Sequence, residues 1–382
     1  MTVRMLVSRG ARSCAYGALA VGFAQALTAR GFSTTAIGGL ITVALLSGAL
    51  FSAGTGVAVR RFGASATLAA SGGLMAIAGA MLFGDAPLIA VACFLGVVSP
   101  GAQDVGPFAP IEQIVLATES RLLTRRLSWY NLVSAVALAF GALFAGAVPF
   151  TAVLGLYVLA GLIVGAIGWS LRDLQVELSG PPASHGSGFG IVERLACLFA
   201  LDAFAGGFVI QAFVAYWFTL RFGVGPQTVG PLLFGANLLA AASYLFADRV
   251  AERIGLLNTM VFTHLPSNVL LCLVPLMPTF PLAAAMLLGR YALSQMDVPT
   301  RQAYTMALVP PHERARAAGI TAAVRPASAA IAPLFTGIAF SLAALGAPFL
   351  LAGGIKIVYD LTLLVTFRGS PVSYATRPSS RP

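Results

Sequence analysis

The stretch Leu95-Gly96-Val97-Val98-Ser99-Pro100-Gly101-Ala102-Gln103-Asp104-Val105 has a counterpart later in the chain, Leu288-Gly289-Arg290-Tyr291-Ala292-Leu293-Ser294-Gln295-Met296-Asp297-Val298. Both copies read Leu-Gly, seven residues, then Asp-Val, at an offset of 193. Arg61-Phe62-Gly63 and Arg253-Ile254-Gly255 stand 192 apart, and Arg121 and Arg314 stand 193 apart. Each match is weak alone. A near-constant offset through corresponding segments marks an internal repeat, and so a molecule of two similar halves.

The material around these segments is apolar. Of 382 residues, 58% are hydrophobic and 9% charged, and the mean hydropathy is +0.89. Soluble domains carry about 25% charged residues. This composition excludes a soluble enzyme, a disordered chain and a disulfide scaffold. A bilayer core of about 30 Å takes roughly 20 apolar residues per helix, and twelve such stretches run along the chain. They include span one (Ser13–Ala29), span four (Pro87–Leu116), span seven (Leu195–Leu220), span ten (Phe280–Leu308), span eleven (Ala317–Leu345) and span twelve (Ala347–Phe367). The first is read as an uncleaved anchor. A Gly/Pro/Ser-rich segment, Ser179 to Gly188, separates spans six and seven. The expected architecture is an all-α integral membrane protein with 12 transmembrane helices in two pseudo-symmetric six-helix bundles. Residues 1–171 form the first bundle, 172–194 a linker, 195–367 the second bundle and 368–382 a tail.

Charge sets the orientation. Alternate loops, with the termini, hold 17 of the 23 basic residues, among them Arg4, Arg9, Arg12, Arg60 and Arg61, while the opposite loops hold Arg30 and Arg221. The positive-inside bias places both termini in the cytoplasm of a multi-pass protein of the cell membrane. The same distribution explains the net charge of +10 without nucleic acid, because no basic face or arm is present. The four cysteines lack metal or disulfide spacing, and no metal or cofactor is expected. The sequence holds no Walker A motif, so ATP is not the direct energy source, and no protease or hydrolase motif suggests an intramembrane enzyme.

Nine charged residues fall inside spans: Asp104, Glu112, Asp202, Arg290, Asp297, Arg301, Arg325, Lys356 and Asp360. An intramembrane charge costs at least about 2.5 kcal/mol on insertion scales, so each needs a partner, water or a task. Asp297 and Arg301 are spaced i,i+4, and Arg290 lies two turns before Asp297, so a continuous helix would set all three in one stripe. The stripe either binds a polar or anionic solute or forms a salt-bridge ladder holding the cytoplasmic ends together. Asp104 and Glu112 share roughly one face and have no basic partner in their own helix. They suit proton carriers, unless Arg325 or Arg301 pairs with them across the bundle. Asp202 either caps the cytoplasmic end of span seven or lines a cavity. Lys356 and Asp360 read as a mutually satisfied i,i+4 pair, and His264 as structural.

The chain resembles the major facilitator superfamily over nearly its full length. Six plus six spans, a central linker and an Arg-x-Gly loop after spans two and eight carry the resemblance. The family's loop usually has Asp before the arginine; here Arg60 stands there, while Glu252-Arg253 in the second copy keeps the acid. The resemblance implies a gate at Arg61, Glu252 and Arg253, the alternative being plain topogenic charge. It also implies a central cavity lined by spans one, four, seven and ten. That brings in Gln25, Gln103, Gln211 and Gln295, with Tyr291 as a stacking surface, beside Arg290, Arg301 and Asp202 for substrate. It leaves Asp104, Asp297 and Glu112 for protons. Small residues in span five (Ala137, Gly141, Ala142, Ala145, Gly146) match an antiporter pattern without its proline, or serve only close helix packing. The implied function is secondary active transport, drug:H+ antiporter-like, exporting a small organic solute or drug by alternating access. The alternative is carriage of an organic anion or metabolite by the span-ten arginines. Small-molecule substrate, protons and the lipid bilayer are the expected partners, and a monomer the expected state.

Overall fold

The computed structural model describes residues 2–104, 106–117, 123–171, 190–309 and 314–368. Residues 172–189 of the linker and 369–382 of the tail lie outside the described residues. Every regular element described is helical. Five helices build the first half up to span four: α1 (Thr2–Ala29), α2 (Thr34–Phe62), α3 (Ala64–Met81), α4 (Ala86–Phe94) and α5 (Phe108–Ala117). Spans five and six are α6 (Leu123–Ala147) and α7 (Phe150–Trp169). Span seven is α8 (Ile191–Gly207) with α9 (Gln211–Phe222); spans eight and nine are α10 (Pro226–Ile254) and α11 (Leu256–Leu273). Span ten is α12 (Phe280–Ser294) with α13 (Asp297–Leu308), span eleven α14 (Arg314–Ala329) with α15 (Ala332–Ser341), and span twelve α16 (Ala347–Phe367).

Among the described residues, nine spans have helices long and apolar enough to cross a membrane. The remaining crossings are α1 and the broken pairs α4/α5 and α12/α13. Large apolar side chains face outward, such as Phe94 at 67% and Val365 at 66% exposure, while Arg12 and Glu112 are fully buried. Such an inverted distribution is expected where lipid is the solvent.

Local chemistry sets the helix ends. Ser33 caps α2, its hydroxyl accepting from the Ala36 amide at 3.2 Å. Gly63 ends α2 at φ 84° and ψ 157°, and Gly255 ends α10 at φ 86° and ψ 162°. That backbone region is open essentially to glycine alone. The repeat read from Arg-x-Gly therefore reappears as one backbone device used twice.

Span four departs most from expectation. The sequence reads it as one continuous span, Pro87–Leu116. Instead the helix stops after Phe94 and resumes at Phe108, through an irregular passage with positive φ at Gly96, Ala102 and Gly106. Pro100 and Pro107 supply no amide to a helical ladder there. Non-helical backbone at membrane depth is tolerated where it lines a cavity. Span ten breaks more tightly, at Gln295–Met296.

Within each half, glycines let backbones touch. A Cβ on Gly17 of α1 would lie 2.1 Å from the Leu138 carbonyl oxygen of α6, and one on Gly207 of α8 2.2 Å from that of Ala329 in α14. These contacts are equivalent by the repeat. Across the seam, α2 packs on α15, α6 on α10 and α1 on α9. The closest approaches are Gly38 on Gly337 and Gly146 on Gly230. Thus Gly141 and Gly146 of the span-five pattern serve helix packing, against α1 and α10 respectively. All the seam glycines sit at the face opposite the start of α1, here called the distal face. Neutral hydrogen bonds join them there: Gln25 to Thr219 at 3.2 Å and Thr28 to the Tyr216 hydroxyl at 2.9 Å.

Candidate functional site

A cavity of about 620 Å³ lies between the halves, lined by residues of both. Its walls run from the helix breaks at mid-span towards the terminal face, away from the glycine seal. Arg9, Gln103, Asp104, Asp202, Gln211, Arg290, Tyr291, Gln295, Asp297, Arg301, Arg325 and Lys356 all border it. Of the residues expected to line a substrate site, Gln25 stands apart, in the distal seam. Glu112 lies behind the wall, fully buried.

The charges form two networks. In the first half, Glu112 accepts from Arg12 at 2.8 and 2.9 Å, from Ser8 at 2.5 Å and from the Tyr130 hydroxyl at 2.6 Å. Arg9 pairs with Asp104, and Arg12 reaches the same carboxylate at 3.5 Å. Arg12 also lies over the Phe108 ring, 4.5 Å from its centroid. Asp104 and Glu112 are therefore not unpaired, nor do Arg301 and Arg325 serve them. Their partners are Arg9 and Arg12, which sequence reading had counted as loop charge. The helix of span one starts at Thr2, eleven residues before its apolar run. Helical spacing of Ser8, Arg12 and Tyr16 was the available signal.

In the second half, Asp202 gathers cations. Lys356 binds one oxygen; Arg325 approaches at 3.1 Å and Arg301 at 3.5 Å, and the His264 ring, whatever its charge, lies 3.9 Å away. Arg301 binds Asp297 at 2.5 Å, as the i,i+4 spacing predicts. Lys356 does not pair with Asp360. That carboxylate takes His264 Nδ1 at 2.8 Å and Asn268 at 2.9 Å instead. Span twelve thus reaches the cavity wall through Lys356, beyond the four spans that the family resemblance assigns to it. The Lys356 ammonium passes beside Gly206 of α8, 3.8 Å from where a Cβ would stand.

Arg12 stands five residues before Gly17, and Asp202 five before Gly207. The repeat therefore places opposite charges at equivalent positions, and each half neutralises its own. Among the described residues no ion pair crosses the seam. The alternative reading of the span-ten stripe, a salt-bridge ladder holding the cytoplasmic ends together, finds no pair between the halves among the described residues. Rocking one half against the other would leave both networks intact.

Arg290 differs from every other cavity cation. Arg290 lies on the other side of the Gln295–Met296 break from the Asp297–Arg301 pair. It leans over the Tyr291 ring at 5.3 Å and has no carboxylate within 4 Å among the described residues. Its Nε is buried without a partner. Gln295 accepts from the Tyr244 hydroxyl at 3.0 Å, and Gln211 donates to Asn237 at 2.6 Å. Asn237, Tyr244 and His264 also border the cavity, and charge counting gave none of them a place there.

Arg61, Glu252 and Arg253 stand exposed on the terminal face, at the ends of α2 and α10. None is in an ion pair among the described residues; Arg61 lies over the Phe62 ring at 5.3 Å.

No protein-family model matches the chain. It is 24% identical over 180 residues to an uncharacterized membrane protein of Saccharomyces cerevisiae, a match covering 47% of this chain. That match spans 40% of the length of the curated relative. Several solved structures share the whole architecture. The nucleoside transporter NupG superposes with a TM-score of 0.73 at 11% identity, over 96% of this chain and 99% of that one. The inward open conformation of the xylose transporter XylE from E. coli gives 0.71 at 13% identity, over 99% and 97%. The human organic anion transporter MFSD10 gives 0.69 at 14% identity, over 95% and 98%. The chain has the fold of major facilitator superfamily transporters, a multi-pass membrane protein of twelve spans.

Proposed function

We propose that the protein is a secondary active transporter of a small organic anion, working by alternating access. The observation that carries this is Arg290: a cavity cation with no carboxylate, on a helix broken beside it. The lining supports the same sign. Arg9, Arg290, Arg301, Arg325 and Lys356 outnumber Asp104, Asp202 and Asp297. A desolvated cation with no carboxylate partner among the described residues attracts an anionic group from water. The charged wall disfavours apolar drug cations, so the anion reading stands ahead of drug export. Likeness in fold to a human organic anion transporter is consistent with it.

The state seen is the one open towards the terminal face, since the distal face is shut by glycine contacts. With the arginine bias placing both termini in the cytoplasm, that state is inward-facing. Closing it would bring the α2 end towards α14 and the α10 end towards α6, the helices of the other half that each packs on, where Arg61 on one side and Glu252 with Arg253 on the other form latches. Coupling to protons would run through Asp104, which is 16% exposed where its wall neighbour Glu112 is sealed. Asp297 and Glu112 remain the other carriers proposed.

Reconstitution of the monomeric protein into liposomes tests this. Under a pH gradient of either polarity, flux of aromatic and aliphatic carboxylates is measured beside a panel of lipophilic cations. Arg290→Gln should abolish carboxylate flux. Carboxylate flux unchanged in Arg290→Gln, or flux of lipophilic cations alone, would overturn the assignment.

A further inference from the structure

Gln211, the first residue of α9, and Asn237, in α10, border the cavity at mid-span and are 8% and 5% exposed. The amide nitrogen of Gln211 donates to Asn237 Oδ1 at 2.6 Å. Gln211 Oε1 and Asn237 Nδ2 are buried and have no partner. Two primary amides set edge to edge can close two hydrogen bonds; this pair closes one. It therefore retains one acceptor and one donor, side by side. Exchanging oxygen for nitrogen in both amides leaves the same remainder, so the conclusion does not depend on their assignment. Buried polar groups left unmet are rare in folded proteins and mark a missing partner.

Arg290 stands at the same height. Leu288 of α12 lies 3.5 Å from where a Cβ on Gly235 of α10 would be, and Tyr244 of α10 bonds Gln295 beyond the end of α12. Both helices run from the distal face inward, and these two contacts bracket the pair Asn237 and Arg290. Each lies two residues past the first contact, about 3 Å along its helix. Both amides line the cavity, and the terminal torsion of an amide side chain is broad enough to let it adjust to a bound group.

We propose that this site reads a ring lactam or imide carrying a carboxylate. Gln211 and Asn237 meet adjacent N–H and C=O groups of the ring, and Arg290 takes the carboxylate. The assignment rests on the anion-carrier reading above and narrows it from charge to chemical class. An amide edge offers one donor beside one acceptor, which is what the pair lacks. A plain carboxylate would leave both amides unmet, and a neutral imide would leave Arg290 unmet.

Orotate, a pyrimidine-dione carboxylate, is the probe. Its binding to the full chain in detergent is compared with benzoate, which lacks the edge, and uracil, which lacks the carboxylate. Orotate should bind at least about tenfold tighter than either, the scale of one or two unmet buried hydrogen bonds. Asn237→Leu and Gln211→Met should each remove its advantage over benzoate, and Arg290→Gln its advantage over uracil. Orotate methylated at both ring nitrogens, which leaves no N–H beside a carbonyl, should fall to the level of benzoate, a result independent of any variant's folding. Equal binding of orotate, methylated orotate and benzoate by the unaltered protein overturns the edge assignment while the anion reading stands. Benzoate and orotate binding that survives Arg290→Gln overturns the anion reading, and this proposal with it.

Discussion

Gly38 of α2 and Gly337 of α15 meet backbone to backbone across the seam, the Cβ position of each within 3.1 Å of the other's Cα. A Cβ on Gly38 would also stand 2.6 Å from the Pro333 carbonyl oxygen. The closed distal face depends on this absence of side chains, since closely packed interfaces do not yield to added methyl groups without shifting.

Gly38→Val or Gly337→Val should therefore open the distal face. Overpacking of this kind costs about 1–3 kcal/mol, enough to shift a two-state equilibrium by roughly ten- to a hundredfold. A single cysteine placed at Asn237, in a background without the native cysteines, should become reactive to a membrane-impermeant maleimide from the distal side. Unchanged reactivity from both sides would show that the contact does not hold the state.

Glu112 is held by Arg12, Ser8 and Tyr130 with no water access. Glu112→Leu leaves Arg12 charged and unpaired in the interior, and loss of one member of a buried pair costs about 3–5 kcal/mol. The purified variant should melt well below the unaltered protein. The double change Arg12→Met with Glu112→Leu should recover much of that loss. A double variant no better than the single one would mean that packing, not charge, fixes this corner.

Lys356 bonds Asp202 on α8, while Asp360 bonds His264 and Asn268 on α11. A double-mutant cycle on thermal stability should give a coupling of about 0.5–3 kcal/mol for Lys356 with Asp202. The cycle for Lys356 with Asp360 should lie near zero. Coupling confined to Lys356 and Asp360 would restore the simple i,i+4 pair.

Gly63 and Gly255 share one glycine-only conformation at repeat-related sites. Gly63→Ala and Gly255→Ala should each destabilise the protein by about 1–3 kcal/mol, in similar amounts, with little change in substrate affinity because both lie far from the cavity. A large loss at one site and none at the other would separate the two halves in their backbone demands.

The spans and the repeat could be read from the chain because each depends on local chemistry. Twenty apolar residues must be helical in lipid, and a glycine-only turn keeps its glycine in both copies. Asp297 and Arg301 could be paired for the same reason, being neighbours on one helix turn. The partners of Glu112 could not: Arg12 is a hundred residues away, and its charge looked like an anchor at a helix mouth. Arg12 and Asp202, equivalent in the repeat yet opposite in sign, show the limit most sharply.

Sequence alone determined that this chain crosses the bilayer as two related bundles of helices, because burial of apolar length and satisfaction of the backbone need no knowledge of distant neighbours. Only the tertiary structure decided which buried charges neutralise one another, where spans four and ten break, and that Arg290, Gln211 and Asn237 retain unmet atoms beside one cavity. Those outcomes depend on which helices stand side by side at a given depth. Coulombic and hydrogen-bond energies fall off over a few ångströms, and sequence distance does not record that spacing.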